Sequence, residues 1–200
     1  MTPEQDAAEI VRHGLATGQR QRGYADFFCW TRNRDVEEWG VAVTLAESLA
    51  LDGRGFYTDV LSRGRGKDPP DCEARDLAGR RLAIEVTELV DGRVIQQLKY
   101  ADRACQPSDW AEWDRATFLG QLDERIASKD RRYPELKAPP YPGGYVVVVY
   151  TDEPKLDRDT VASYLAGYRF RRPRHILRAF LLLSHDPAVA RCPYFELGWR

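Results

Sequence analysis

Apolar residues recur along this chain with two distinct periods. Trp39, Ala42, Val43, Ala46 and Leu49 repeat at helical spacing, which predicts an amphipathic helix. Asn33 or Asp35 can cap its start, and Asp52-Gly53 ends it near Leu49. Residues 56–61 read as a strand. Residues 71–76 and 80–89 alternate in the manner of two hairpin strands joined by Leu77-Ala78-Gly79. Asp109 with Glu112 resembles a capping box opening a helix to about Arg132, whose stripe is Leu119, Leu122, Ile126 and Tyr133. Residues 145–150 are wholly apolar, as expected of a strand buried on both faces. A helix over 157–168, a strand over 176–184 and an edge strand in the tail CPYFELGWR complete the order, and residues 4–17 suit a short N-terminal helix. Helices interleaved with strands in this way predict an α/β fold, or α+β, on a mixed sheet. One domain spans 1–200: an N-terminal extension over 1–34, a core over 35–152, and a C-terminal helix and strand over 153–200.

Composition narrows the class. With 43% hydrophobic and 30% charged residues the chain can bury a core, which excludes a disordered tail. No run approaches the roughly 20 apolar residues of a membrane span. The opening MTPEQDAAEIVRHG lacks the basic start and apolar stretch of a secretory signal, so a cytoplasmic location is expected. Cys29, Cys72, Cys105 and Cys192 form no CxxC pair and lie far from His13, His175 and His185 in sequence, which argues for reduced thiols and against a zinc site.

The net charge of −1 conceals an uneven distribution. Of 30 basic residues 25 are arginine, the side chain best shaped for bidentate phosphate contacts. Between Asp159 and Asp186 stand Arg169, Arg171, Arg172, Arg174 and Arg178 and no acid.

The chemistry concentrates in the hairpin. With a three-residue loop and Gly79 in the left-handed position, Asp76 faces Arg80 and Asp71 lies opposite Glu85. Alternation puts Glu73 and Thr87 on the same face, with Cys72, Ala74, Leu82, Ile84 and Val86 on the other. Opposed acids repel. Either a hard divalent cation with oxygen ligands offsets that, or the two are solvated carboxylates beside an arginine. Lys129 falls inside the apolar stripe of its helix, where it needs a carboxylate or a wet cleft, unless it snorkels to the rim. Glu38 sits at the edge of the first apolar arc, where it is either a site residue or a capping-box partner of Asp35; Glu37 and Glu47 lie outside that arc.

Pro70-Asp71 and Glu85-Val86-Thr87, set on a helix, a hairpin, a helix and a strand, resemble the PD-(D/E)XK or restriction-endonuclease-like nuclease superfamily over residues 35–152. One position departs from the pattern: Thr87 stands where the family usually has lysine. Members can supply that lysine from the following helix, and Lys129 is similarly placed; Gln97 and Lys99 are lesser candidates.

The resemblance implies a core of helix, three strands, helix and strand, and hydrolysis of phosphodiester bonds with Mg²⁺ or Mn²⁺. It implies Asp71 and Glu85 as metal ligands, with the Val86 carbonyl a further one. Lys129 would stabilise the phosphate, and Glu38 would bind a second metal or its waters. Glu73 and Thr87 would support these from behind. Nucleic acid, DNA ahead of RNA, is the implied partner, with a homodimer a further candidate and no membrane. Arg63, Arg65 and Lys67 before Asp71, and Arg169, Arg171, Arg172 and Arg174 interleaved with aromatics, are candidate phosphate contacts, as is the stretch 20–34 with Trp30; each is also readable as a solvated arginine loop. The alternative is a binding module of the same fold with weak or lost catalysis, which takes nucleic acid or a protein, as an accessory or immunity protein would. No GxSxG, HExxH or P-loop motif is present, and Ser184-His185-Asp186 is too contiguous to form a triad.

Overall fold

The computed structural model describes residues 34–64, 66–91 and 112–200. They form three α-helices and a six-stranded mixed sheet, an α/β architecture. Helix α1 (Arg34–Leu51) precedes β1 (Tyr57–Ser62), β2 (Cys72–Asp76) and β3 (Arg81–Glu88). Helix α2 (Arg115–Arg131), β4 (Gly144–Thr151), α3 (Arg158–Leu165), β5 (Arg178–Leu183) and β6 (Tyr194–Glu196) follow. Sheet order equals chain order. Strands β1, β2 and β3 are antiparallel, β4 and β5 continue parallel to β3, and β6 closes the edge antiparallel.

Hydrophobic residues divide into two layers. On one face α1, through Val41, Ala42, Leu45 and Leu49, covers Cys72, Ala74, Leu82, Ile84 and Val86. On the other, Phe118, Leu119, Leu122 and Ile126 of α2 and Val161 of α3 cover Ala83, Val147, Val149 and Leu181. Val146–Val149 is therefore buried from both sides, which is why β4 reads as an uninterrupted apolar run. Gly143 opens that strand so close to β3 that a Cβ would stand 2.8 Å from the Arg81 carbonyl oxygen.

The hairpin adopts the expected register, with Cys72 paired to Ile84, Glu73 to Ala83 and Ala74 to Leu82. Gly79 turns with φ +74°, and the Asp76 N–H donates to the Arg80 carbonyl at 3.0 Å.

Elsewhere the boundaries differ from the sequence reading. Helix α1 already includes Asp35, so Asp35 is not its cap, and no capping box joins it to Glu38. Its buried residues are Glu37, Glu38, Val41, Ala42, Leu45, Ser48 and Leu49; Glu37, expected outside the arc, is buried, and Trp39, expected inside, is 40% exposed. Helix α2 starts at Arg115 rather than Asp109, because Asp114 caps it by accepting from the Thr117 N–H at 2.7 Å; Glu112 is outside the helix. Helix α3 ends at Leu165, short of Tyr168, since Gly167 takes a left-handed φ of +69°. No helix among the described residues is long and apolar enough to cross a membrane. Cys72 and Cys192 are free thiols. The expected 4–17 helix, the stretch 20–33 with Trp30, Cys29, Cys105, Arg65, Gln97, Lys99 and Asp109 lie outside the described residues.

Candidate active site

Asp71 sits one residue ahead of β2, where the register brings it level with Glu85. A backbone carbonyl there would have met the next N–H of β3. The Asp71 side chain does so instead, its Oδ2 accepting from the Val86 N–H at 2.8 Å. That bond fixes the carboxylate at the mouth of the hairpin. Burial pushes the Asp71 carboxyl above its ordinary range; Lys129 opposes the rise and Glu85 adds to it.

Glu85 points to the α2 side of β3 and is 1% exposed. Its Oε2 accepts from the Lys129 ammonium in a direct contact between strand and helix. Its Oε1 is buried and has no hydrogen-bond partner among the described residues. Lys129 occupies the last turn of α2, in line with Leu122 and Ile126, and is itself buried. The Tyr145 hydroxyl donates to the Lys129 carbonyl at 3.3 Å and holds that turn to the sheet.

Glu38 approaches from the opposite layer, on α1. It accepts from the Arg34 Nε at 2.6 Å, four residues back along the helix. Burial first, and the negative charge of Asp71 second, raise its carboxyl to about 7. Arg34 and Arg132 act electrostatically on Asp71, and Arg132 also on Glu85. From sequence Arg34 reads only as the end of the 20–34 stretch, and Arg132 is not singled out. Both share a helix face with a site residue, Arg34 four before Glu38 and Arg132 three after Lys129, and that spacing was the available signal.

Glu73 does not join this cluster. Arg63 and Arg81 clamp its carboxylate, and the Tyr141 hydroxyl donates to it at 3.2 Å. Arg63, expected to meet phosphate, is thus committed to Glu73. Lys67 is exposed on the same loop. Thr87 is half-buried on β3.

The basic segment after α3 is anchored beside the site. Asp130, adjacent to Lys129, accepts from the backbone N–H groups of Arg174, His175 and Ile176 at 2.9, 2.7 and 3.3 Å. His175 stacks on Tyr133 with ring centroids 4.3 Å apart. Arg169, Arg171, Arg172 and Arg174 are all exposed.

A buried carboxylate oxygen without a partner, next to a second carboxylate whose charged form is disfavoured, is the electrostatic setting a divalent cation relieves. The donors are all oxygen, which suits Mg²⁺ or Mn²⁺ over zinc. Among the described residues no three His, Cys, Asp or Glu side chains converge as a metal cage. Two carboxylates with water and phosphate completing the shell is, however, the usual manner of Mg²⁺. No protein-family model, curated protein or solved structure matches the chain.

Proposed function

We propose that the chain is a metal-dependent nuclease built on a restriction-endonuclease-like core, hydrolysing phosphodiester bonds of nucleic acid. The observation that carries the reading is the contact of Lys129 with Glu85, one residue before the Val86 N–H that holds Asp71. A lysine from α2 thereby reaches the acids although Thr87 occupies the neighbouring strand position. The order of α1, the three antiparallel strands, α2 and a parallel β4 also suits that core.

Asp71 and Glu85 would hold Mg²⁺ or Mn²⁺. When bound, the metal lowers the pKa of water and offsets charge on the phosphate. Asp71 is oriented for ligation before any ligand arrives, because the Val86 N–H fixes one of its oxygens. Lys129 presents an ammonium at the same notch, where negative charge builds on a phosphate under attack. Glu38, with its carboxyl near 7, can hold or release a proton at neutral pH. Arg171, Arg172 and Arg174 offer phosphate contacts along the flank that Asp130 anchors.

The test is incubation of purified protein with single- and double-stranded DNA and RNA in Mg²⁺ or Mn²⁺. Cleavage that disappears in Asp71→Ala and Glu85→Ala is expected. Inert wild-type protein on all four substrates removes the enzyme and leaves the binding module.

A further inference from the structure

A hollow of about 340 Å³ opens beside the candidate site, lined by Asp35, Val36 and Trp39 of α1 and by Ser62, Arg63 and Gly64 after β1. That is the size of the smaller ligand pockets, which start near 300 Å³. Its wall is continuous with the acids, since the Arg63 N–H donates to the Asp71 carbonyl at 3.0 Å.

Trp39 is the unusual member. It lies outside the buried arc of α1 and keeps 40% of its surface exposed, with Val36 49% exposed one turn before it. Its indole N–H already donates to the Val60 carbonyl at 3.0 Å. The ring is therefore held in place by its polar edge, and its apolar surface remains partly open to solvent.

Charge selects what can occupy such a place. Asp35 lines the hollow, and the Arg63 charge beside it is taken up by Glu73, which leaves a phosphate little to bind there. A nucleobase is neutral, flat and edged with acceptors to which the Ser62 hydroxyl, itself accepting from the Gly64 N–H, can donate. Phosphates beside it would find Lys67, exposed on the loop that follows Gly64.

We propose that this hollow binds one unpaired nucleobase stacked on Trp39, so that the substrate is single-stranded nucleic acid or a duplex with an unpaired end. The inference rests on the nuclease reading and narrows its substrate class. In an intact duplex each base is stacked inside the helix and cannot reach the indole; in a single strand every base offers a π face.

The experiment measures anisotropy of labelled oligonucleotides on the full chain in EDTA. The probes are a mixed-sequence single strand, its blunt duplex, a duplex with an overhang, and a single strand carrying abasic positions. Wild-type protein should prefer the single strand and the overhang to the blunt duplex. Trp39→Ala should weaken single-strand binding about tenfold, toward the lower end of the range for one base–aromatic stack, and leave the duplex unchanged. Trp39→Phe, which keeps a π face, should retain most of the affinity, and abasic positions should reproduce the loss. Binding that Trp39→Ala does not alter, or equal binding of duplex and single strand, overturns the base pocket and leaves the nuclease standing. Wild-type protein that binds none of the probes and cuts nothing overturns both. A Trp39→Ala protein that binds normally but elutes smaller than wild type reassigns the hollow to a contact between copies of the chain, and the base pocket is rejected.

Discussion

The Lys129 ammonium meets Glu85 across 44 positions of sequence, joining the last turn of α2 to the middle of β3 in a buried contact. Removing one partner of such a pair leaves the other charged and dehydrated, which costs about 3–5 kcal/mol. Lys129→Met keeps the volume and removes the charge. Without metal, the variant should melt well below wild type. Divalent cation should then raise its Tm by more than it raises that of wild type, because it supplies the missing positive charge. Turnover should fall by orders of magnitude while metal still binds. Melts with and without Mg²⁺, beside a cleavage assay, read all three effects, and an unchanged metal-free Tm would show that the pair carries no stability.

Asp71→Asn separates the structural role of that residue from the ligating role proposed for it. The amide oxygen can still accept from the Val86 N–H, so the hairpin should keep its fold and the Tm should move little. Metal binding followed by calorimetry should nevertheless weaken at least tenfold, because one of two anionic ligands is gone. Unchanged metal affinity would place the cation elsewhere.

Asp130 gathers three backbone N–H groups of the segment that carries Arg171, Arg172 and Arg174. Asp130→Ala leaves those donors without their carboxylate and should destabilise the protein by about 1–3 kcal/mol. Replacing Arg171 and Arg172 together should do something different. Stability should hold, and the slope of log affinity against log salt should fall by about 1.5, since two phosphates then keep their counterions. Urea melts and a salt titration of binding distinguish the two behaviours.

Glu88 supplies a pH signature away from the acids at the hairpin mouth. Burial first, then Asp152 and Glu153, raise its carboxyl to about 8. Between its ordinary value of 4.5 and about 8 the folded chain holds a proton that the unfolded chain releases. Stability should therefore decline as pH rises through that window. Glu88→Gln mimics the protonated form. It should match wild type near pH 5 and exceed it by on the order of 1 kcal/mol or more above pH 8. Urea melts at the two pH values check the sign, and a gain confined to low pH would contradict it.

The sequence made the hairpin legible because three local signals agree there: the turn residues, the alternation, and the register that a three-residue loop sets. Lys129 was legible for a related reason, since a charge inside an apolar stripe has few places to go. The face of α1 was misread by about one residue. Counting apolar positions drew in Trp39, whereas the helix buries Glu37 and Glu38 and turns Trp39 outward. Buried acids at a site invert the rule that such counting relies on. The commitment of Arg63 to Glu73 depends on the β1–β2 pairing, which sets Leu61 against Glu73 across an irregular register. The grip of Asp130 on residues 174–176 joins a side chain to backbone N–H groups more than forty residues away, and no residue pattern marks such partners.

The distance in sequence between Glu85 and Lys129 also bears on when the notch comes into being. Asp71 and Glu85 can align as soon as the hairpin closes, a local event. The lysine arrives only after α2 has docked on the sheet 44 positions further along the chain, a slower and less local step. A chain still being synthesised, or one whose α2 has come loose, therefore carries two opposed acids and no adjacent ammonium. On the proposed nuclease reading, competence to cut would then appear last during folding and vanish first on unfolding, so that topology alone would disarm a half-made or damaged molecule.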